Sequence, residues 1–215
     1  MTPTDETTTI VHLVRHGQTI LNVDVRFRGR RDVPLNDTGR REAIAAGHML
    51  KDANLAAVYA SPLTRAFEVG TAIAAASGLH EVIGLDNLVN VDYGRWEGLT
   101  SGESRDVDPV AWDKYCNDPD AAACPGGESL IAAGDRVVRA LKEIHERNPG
   151  QSVAAVSHGV MLRLAVRRIW GNVEPDWQFK ISTGGSLVFA VTGDDIKLVS
   201  DVPSEPRDEV VATHA

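Results

Sequence analysis

The sequence predicts an α/β fold, a three-layer sandwich with a mostly parallel central sheet and helices on both faces. Short apolar runs alternate with longer amphipathic runs along the 215-residue chain, as expected of successive strand–helix–strand units. Polar clusters directly follow three of the apolar runs, and ligands bind beyond the carboxyl ends of strands in sheets of this kind. The composition, with 43% hydrophobic and 24% charged residues, is ordinary for a globular protein.

The first half of the chain contains three predicted strands and two predicted helices. Asn36 is placed to cap a helix that extends to about residue 52. Ser61 and Pro62 predict the cap and first position of a second helix, which extends to about residue 76. The predicted strands, which are short apolar runs, are residues 10–14, 57–60 and 81–85.

The second half predicts further helices and strands, separated by two loops. The two predicted loops are residues 87–102 and 118–127, because both segments are rich in turn-forming residues. The predicted elements are a weak helix at 104–117, a helix at 128–147, a strand at 152–156, a helix from 159 to about 170, and a hairpin of strands at 186–191 and 196–199.

The chain is short enough for one domain, which we expect to comprise residues 10–200. Residues 1–9 are predicted to form a polar extension. Residues 201–215 are predicted to form an acidic tail that is loosely held. Residues 87–127 form the least patterned segment, and substrate specificity is expected to reside there. Within it, we interpret residues 99–127 as an insertion on the substrate side.

Charge and hydropathy exclude several classes of protein. The 22 Lys and Arg residues are outnumbered by 30 Asp and Glu residues, giving a formal charge of −8, which argues against a nucleic-acid-binding protein. No run approaches the ~20 apolar residues that span a bilayer, and the polar, acidic start does not resemble a secretory signal. Cys116 and Cys124 fit no common zinc or redox spacing. We therefore expect a cytoplasmic protein without a membrane partner.

The clusters after the apolar runs predict a phosphate-binding site. They are Arg15-His16-Gly17, Ser61 to Arg65, and Ser157-His158-Gly159. Arginine binds a phosphate dianion through paired hydrogen bonds, and helix N-termini add backbone donors. An uncharged imidazole can serve as the nucleophile in phosphoryl transfer. The sequence has no P-loop, nucleophile elbow or H-E-x-x-H motif.

Longer motifs around these clusters resemble those of a known family. They are Leu13 to Thr19 with Asn22, Asp32 to Leu35, Ala60 to Ala66, Asp92 to Gly98, Pro125 to Ser129, and Val156 to Gly159. In this order they resemble the histidine phosphatase superfamily, in its phosphoglycerate mutase-like branch. The resemblance extends from residue 10 to about residue 165 and implies a phosphoglycerate mutase-like fold.

The resemblance also implies roles for individual residues. His16 would be the nucleophile that becomes transiently phosphorylated. Arg15, Asn22, Arg65 and His158 would hold the phosphoryl oxygens, with His158 donating in its protonated form. Gly29 is a further single position that matches the family, between the first two motifs, and it is a candidate for substrate binding. Two guanidinium groups can stabilise the phosphoryl oxygens without a metal, so we expect neither a metal nor a cofactor.

Two positions depart from the family pattern. Asn90 occupies the place of a glutamate that protonates the leaving oxygen, and losing a general acid typically costs 10²–10⁴-fold in rate. We therefore expect weak activity toward simple alkyl phosphates. Asp92 is the candidate replacement acid, with Glu97 and Glu103 as further candidates. Arg28 stands where relatives often carry Gln or Thr, and we expect it to contribute to substrate binding together with Asn90.

Three functions remain open on the sequence alone. The first is a metal-independent phosphomonoester hydrolase that acts on a small phosphorylated metabolite through a phosphohistidine. The second is a cofactor-dependent phosphoglycerate mutase, which the short segment between Gly98 and Ser129 disfavours. The third is a degenerate member that binds phosphorylated ligands with little turnover, which only Asn90 favours. A homodimer is a possible assembly.

Overall fold

Six strands form one sheet in the structure, a computed structural model that describes residues 7–171 and 179–200. The strands are β1 (Thr9–Arg15), β2 (Leu55–Ala60), β3 (Ile83–Gly84), β4 (Ser152–Ser157), β5 (Ser186–Thr192) and β6 (Asp195–Leu198). They lie in the order β3-β2-β4-β1-β5-β6. The strands β3, β2, β4 and β1 are parallel to one another, whereas β5 pairs antiparallel with β1 and β6 pairs antiparallel with β5. This arrangement confirms the predicted mostly parallel sheet.

Helices cover both faces of the sheet. They are α1 (Ile20–Val23), α2 (Asp37–Leu50), α3 (Thr64–Ala76), α4 (Ser101–Val107), α5 (Pro109–Asn117), α6 (Leu130–Arg147) and α7 (Gly159–Trp170). Apolar residues of α2 and α3 pack on one face, and those of α6 and α7 pack on the other. Successive strand residues point to opposite faces, so Leu13 and Val14 of β1 belong to different clusters. The predicted three-layer sandwich is confirmed.

Helix α3 begins two residues later than the sequence predicts. Ser61 and Pro62 lie before the helix, and Leu63 occupies the capping position without a side-chain hydrogen bond. The capping contacts come instead from Asp32, whose carboxylate accepts hydrogen bonds from the Thr64 backbone N–H at 2.8 Å and its hydroxyl at 2.7 Å. An acceptor that is distant in the chain thus replaces the local cap, and the Ser61 side chain makes other contacts.

Two other elements differ from the prediction. The predicted helix at 104–117 is divided between α4 and α5 because Asp108 caps a new helix that has Pro109 in its first turn. The third strand contains only Ile83 and Gly84, since its pairing with β2 is limited to two positions. Residues 1–6 of the predicted extension and the predicted tail at 201–215 lie outside the described residues.

Candidate active site

The two histidines meet where β1 and β4 end side by side. These strands are parallel, with Arg15 opposite Ser157, and the His16 backbone N–H donates to the Ser157 carbonyl at 2.9 Å. The rings of His16 and His158 lie 5.1 Å apart between centroids. Residues 142 positions apart in the chain thus share one site because their strands are neighbours.

The His16 ring is held in one orientation by the backbone. Its Nδ1 lies 2.7 Å from the Gly17 carbonyl, and a carbonyl only accepts hydrogen bonds, so Nδ1 carries the proton and Nε2 carries the lone pair. Gly17 is required here, since a Cβ would lie 2.5 Å from the Gly39 carbonyl oxygen. Burial, followed by the charges of Arg65, Arg28 and Arg15, holds the His16 pKa well below 6.5. The ring is therefore neutral near neutral pH, which is the state that a nucleophilic imidazole requires.

His158 is held through its other nitrogen. Its Nε2 lies 2.9 Å from the Ser61 hydroxyl, and that hydroxyl oxygen accepts from the Leu63 backbone N–H at 3.4 Å. Ser61 can therefore donate its own proton to Nε2, which leaves an N–H on Nδ1. Within the described residues, Nδ1 is buried and has no hydrogen-bond partner. It is the donor that a bound anion would satisfy.

The surroundings of His158 favour its neutral form in the ligand-free site. Burial lowers its pKa well below 6.5, and nearby positive charge from Arg65 lowers it further. The ring is therefore neutral in the ligand-free site, whereas the expected protonated form concerns the site with phosphate bound. A neutral imidazole still donates through Nδ1.

The histidines lie in a cavity of about 150 Å³ with a strongly cationic lining. Its lining residues are Arg15, His16, Asn22, Val25, Arg26, Phe27, Arg28, Asn90, Tyr93, His158, Gly159, Val160, Arg163, Lys180 and Ile181. Five of these residues are Arg or Lys, and none of the described lining residues is acidic. Arg26 also donates to Glu103 at 3.0 Å, which offsets one of the charges. The cavity therefore favours an anionic ligand.

Two predicted phosphate ligands, Arg15 and Asn22, line this cavity. Arg15 donates from Nη1 to the Ile181 carbonyl, which anchors the guanidinium beside α7. Asn22 accepts from the Thr19 backbone N–H at 3.0 Å through Oδ1, and this contact directs its amide group. Arg28, predicted to bind substrate, lines the cavity as well. Its charge lowers the pKa of both histidines, so it lies near both rings.

Arg65 lies close enough to both histidines for its charge to lower their pKa values. It is fully buried and does not line the cavity. Its guanidinium donates to the Arg31 carbonyl at 2.7 Å and to the Gly29 carbonyl at 2.8 Å. Desolvation, followed by the charge of Arg28, lowers its pKa to about 10. In the ligand-free site, Arg65 therefore holds the backbone of residues 29–31 and acts on the histidines through its charge.

Gly29 does not line the cavity and has a structural role. Its φ of +51° favours glycine, and a Cβ there would overlap the Glu97 carboxylate. Its carbonyl accepts hydrogen bonds from Arg65 and, at 3.1 Å, from the Asn90 amide. The geometry assigns Gly29 to the support of its neighbours, where the sequence predicted substrate binding.

Asn90 lines the cavity as predicted, and it is tightly held. Its Nδ2 donates to Gly29, and its Oδ1 accepts from the Val91 backbone N–H at 3.0 Å. Arg136 fixes the same segment by donating to the carbonyls of Val89 at 2.6 Å and Asn90 at 3.2 Å. Arg136 is in turn held by Glu128 at 2.9 Å. The position thus presents a fixed amide that cannot supply a proton.

The candidate acids do not reach the cavity. Asp92 accepts from the Gly94 backbone N–H at 2.9 Å and lies 3.7 Å from Arg30, so it stabilises a turn and does not line the site. Glu97 accepts from the Arg30 backbone N–H at 2.7 Å, and Glu103 caps α4. These placements do not support the expectation that Asp92 replaces the missing glutamate.

Several lining residues were not predicted as site residues, among them Tyr93, Arg163 and Lys180. Tyr93 lies beside Asn90 and was treated only as part of a motif. Arg163 follows Gly159 by four positions and so lies on the same face of α7, a spacing from which it could have been found. Lys180 lies in a segment without periodic pattern, and no sequence signal indicated it.

Two further observations concern only residues 7–171 and 179–200. No His, Cys, Asp or Glu side chains there come together in groups that could hold a metal ion. None of the helices there combines the length and the apolar character that crossing a bilayer requires.

Comparison with known proteins identifies the family. The family model of the histidine phosphatase superfamily, branch 1, matches residues 11–201. The chain is 37% identical over 162 residues to the bifunctional protein Rv2228c of Mycobacterium tuberculosis, which covers 75% of this chain but only 44% of that protein. The chain thus spans less than half the length of this relative.

Two further comparisons cover most of both proteins. The phosphoserine phosphatase 1 of Hydrogenobacter thermophilus is 32% identical over 168 residues, covering 78% of this chain and 79% of that protein. The solved structure of Bacillus stearothermophilus YhfR matches with a TM-score of 0.81 and 28% identity, covering 92% of this chain and 98% of that one. With its motifs at adjacent strand ends, the chain belongs to branch 1 of the histidine phosphatase superfamily.

Proposed function

We propose that the protein is a metal-independent phosphomonoester hydrolase that acts on a small phosphorylated substrate through a phosphohistidine on His16. The observation that carries this proposal is the neutral His16 ring, whose proton is held on Nδ1 by Gly17, at a cavity lined by cations. The similarity to a phosphoserine phosphatase across most of both chains supports hydrolysis of phosphate esters.

The proposed reaction has two displacements at phosphorus. The Nε2 lone pair of His16 forms the new N–P bond while the bond to the leaving oxygen breaks, and the leaving group takes that electron pair. Arg15, Arg28 and the Nδ1–H of His158 stabilise the phosphoryl oxygens. Water then attacks phosphorus, the N–P bond electrons return to Nε2, and phosphate is released. Arg65 contributes through its charge and through the backbone that it holds.

The proposed reaction lacks an evident proton donor for the leaving group. With an amide at position 90 and no acidic residue among the described residues of the lining, an alkoxide would depart without a nearby carboxylic acid. We therefore expect rapid turnover of esters with acidic leaving groups and slow turnover of alkyl esters. The same observation favours the degenerate phosphate-binding protein as the second candidate function.

One experiment separates these functions. Phosphate release and isomer exchange are measured with aryl phosphates, alkyl phosphates and phosphoglycerates, with and without a bisphosphate primer. We expect phosphate release without primer, and a loss of at least about 10³-fold in the His16→Ala variant. Exchange that requires the primer would establish a mutase. Binding without release from any ester, aryl esters included, would establish a ligand-binding protein.

A further inference from the structure

One side chain of α2 holds the two loops that flank the reacting end of β1. Glu42 is half-buried and does not line the cavity. Its Oε2 accepts from the Gln18 backbone N–H at 2.7 Å, and its Oε1 accepts from the Thr183 hydroxyl at 2.6 Å. Gln18 follows β1, whereas Thr183 precedes β5, the antiparallel neighbour of β1. The carboxylate therefore joins two segments that are distant in the chain and adjacent in the site.

The first contact fixes the peptide group that holds the His16 ring. The Gln18 N–H and the Gly17 carbonyl belong to the same planar peptide unit. The carbonyl lies 2.7 Å from Nδ1 of His16, and the N–H donates to Glu42. A charged acceptor on the N–H polarises the peptide, which strengthens the carbonyl as an acceptor. Glu42 thus acts on the His16 tautomer through a single peptide unit.

The second contact closes the loop around Arg15. The guanidinium of Arg15 donates to the Ile181 carbonyl, and the Arg15 backbone carbonyl accepts from the Gly184 N–H at 3.1 Å. Thr183 lies between these two anchor points, and its hydroxyl donates to Glu42. The loop also packs on α2, because a Cβ on Gly184 would lie 3.4 Å from the Glu42 Cβ. The same carboxylate therefore helps to hold the arginine that we assign to the phosphoryl oxygens.

We propose that Glu42 is a positioning residue for phosphoryl transfer, with one oxygen holding the tautomer of His16 and the other holding the guanidinium of Arg15. This inference rests on the proposed function for the roles of those two residues. Glu42 lies outside the cavity and acts through its neighbours. An ionised carboxylate only accepts hydrogen bonds, which suits a side chain that binds two donors at once. A displacement of about 1 Å in a reacting group can cost 10²-fold in rate, and two such groups depend on these contacts.

Steady-state kinetics with an aryl phosphate test the two contacts separately. Glu42→Ala removes both contacts and should lower kcat at least about tenfold. Thr183→Val removes only the contact on the Arg15 side. It should raise KM about fivefold, the effect of one neutral hydrogen bond, with a smaller change in kcat. Glu42→Gln should recover most of the rate that Glu42→Ala loses, because its amide oxygen can accept from Gln18 while its NH₂ group donates to the Thr183 hydroxyl.

Two measurements without turnover separate positioning from a general loss of stability. The ¹⁵N chemical shifts of the His16 ring, assigned by comparison with His16→Ala, report its tautomer. We expect Nδ1–H alone in the unmodified protein and a mixture with Nε2–H in Glu42→Ala. Calorimetry with inorganic phosphate should show about fivefold weaker binding for Thr183→Val. Asp37→Ala is the control, since it removes an exposed carboxylate from the same helix and should change neither quantity.

The outcomes distinguish this proposal from the proposed function. An unchanged His16 tautomer in Glu42→Ala, together with unchanged phosphate affinity in Thr183→Val, would overturn the positioning role even if the unmodified protein hydrolyses esters. A mixed tautomer and weaker phosphate binding would support it even if no ester is hydrolysed. If Glu42→Ala does not fold, Glu42→Gln replaces it. Its neutral amide polarises the peptide less, so the Nδ1–H proton resonance of His16 should move upfield, and an unmoved resonance would contradict the proposal.

Discussion

The strand ends and the segment around Asn90 form opposite parts of one site and differ in how they are built. At the strand ends, His16 and His158 are neutral rings, each with one nitrogen held by a neighbouring group. Around Asn90, a guanidinium from Arg136 fixes the backbone and an amide faces the cavity. Under the proposed function, the first region would accept the phosphoryl group, whereas the second, within the described residues, has no group that could give a proton to the leaving oxygen.

Removing the hydrogen-bond donor His158 at the end of β4 should have the largest effect on the rate of phosphate release. His158→Ala deletes the N–H that we assign to the phosphoryl oxygens, and loss of one such donor typically costs 10²–10³-fold in kcat. Ser61→Ala removes only the partner of the His158 ring, worth about 1 kcal/mol, so its loss should be roughly fivefold. Steady-state kinetics with an aryl phosphate measure both variants. Equal losses in the two would show that His158 acts only as a structural group.

Restoring an acid in the second region should have an opposite and smaller effect. Asn90→Glu places a carboxylic acid in the cavity and should raise kcat for an alkyl phosphate at least tenfold, since general acids contribute 10²–10⁴-fold. An aryl phosphate needs no such proton and should change by less than threefold.

Asn90→Gln is the matched control for this gain, because it changes length without adding an acid. Rates plotted against the leaving-group pKa should fall steeply for the unmodified protein and for Asn90→Gln, and less steeply for Asn90→Glu. A flat plot for the unmodified protein would mean that another group already protonates the leaving oxygen.

The buried histidines should also make stability depend on pH. Their folded-state pKa values lie well below 6.5, so the unfolded chain binds protons first as the pH falls below 6.5. Stability is therefore lost below that pH, by up to about 1.4 kcal/mol per pH unit for each ring. Denaturant unfolding at pH 7.5, 6.5 and 5.5 should show a shallower loss for His158→Asn. His48→Asn, at an exposed position, is the control. Equal slopes in all three proteins would contradict the neutral state.

Loss of the hydrogen bonds from Asp32 that cap α3 should have the smallest effect, and this effect is on the free energy of unfolding. Asp32→Ala removes both hydrogen bonds to Thr64 and should cost about 1 kcal/mol of unfolding free energy. Asp37→Ala, whose carboxylate is exposed on α2, should cost less. A loss no greater than that of the control would show that Asp32 does not cap the helix.

The same comparison explains what could be predicted from the sequence. Apolar runs ended by Arg15-His16 and Ser157-His158 predict both the strands and their shared site, because parallel strands present their carboxyl ends at one edge. Helix α3 was misplaced because its capping acceptor, Asp32, lies far away in the chain. Asp92 was predicted as the replacement acid and Gly29 as a substrate-binding residue because sequence position does not reveal which groups their atoms contact. Lys180 depends on tertiary contacts and left no local pattern.

The most direct measurement is the identification of the phosphorylated atom. Rapid mixing with an aryl phosphate, followed by alkaline quench and analysis of the modified peptide, reports where the phosphoryl group resides. We expect one phosphoryl group on Nε2 of His16, formed and lost at rates consistent with turnover and absent in His16→Ala. Phosphate release at full rate without a phosphorylated His16, or phosphorylation of Nδ1, would contradict the proposed role of this residue.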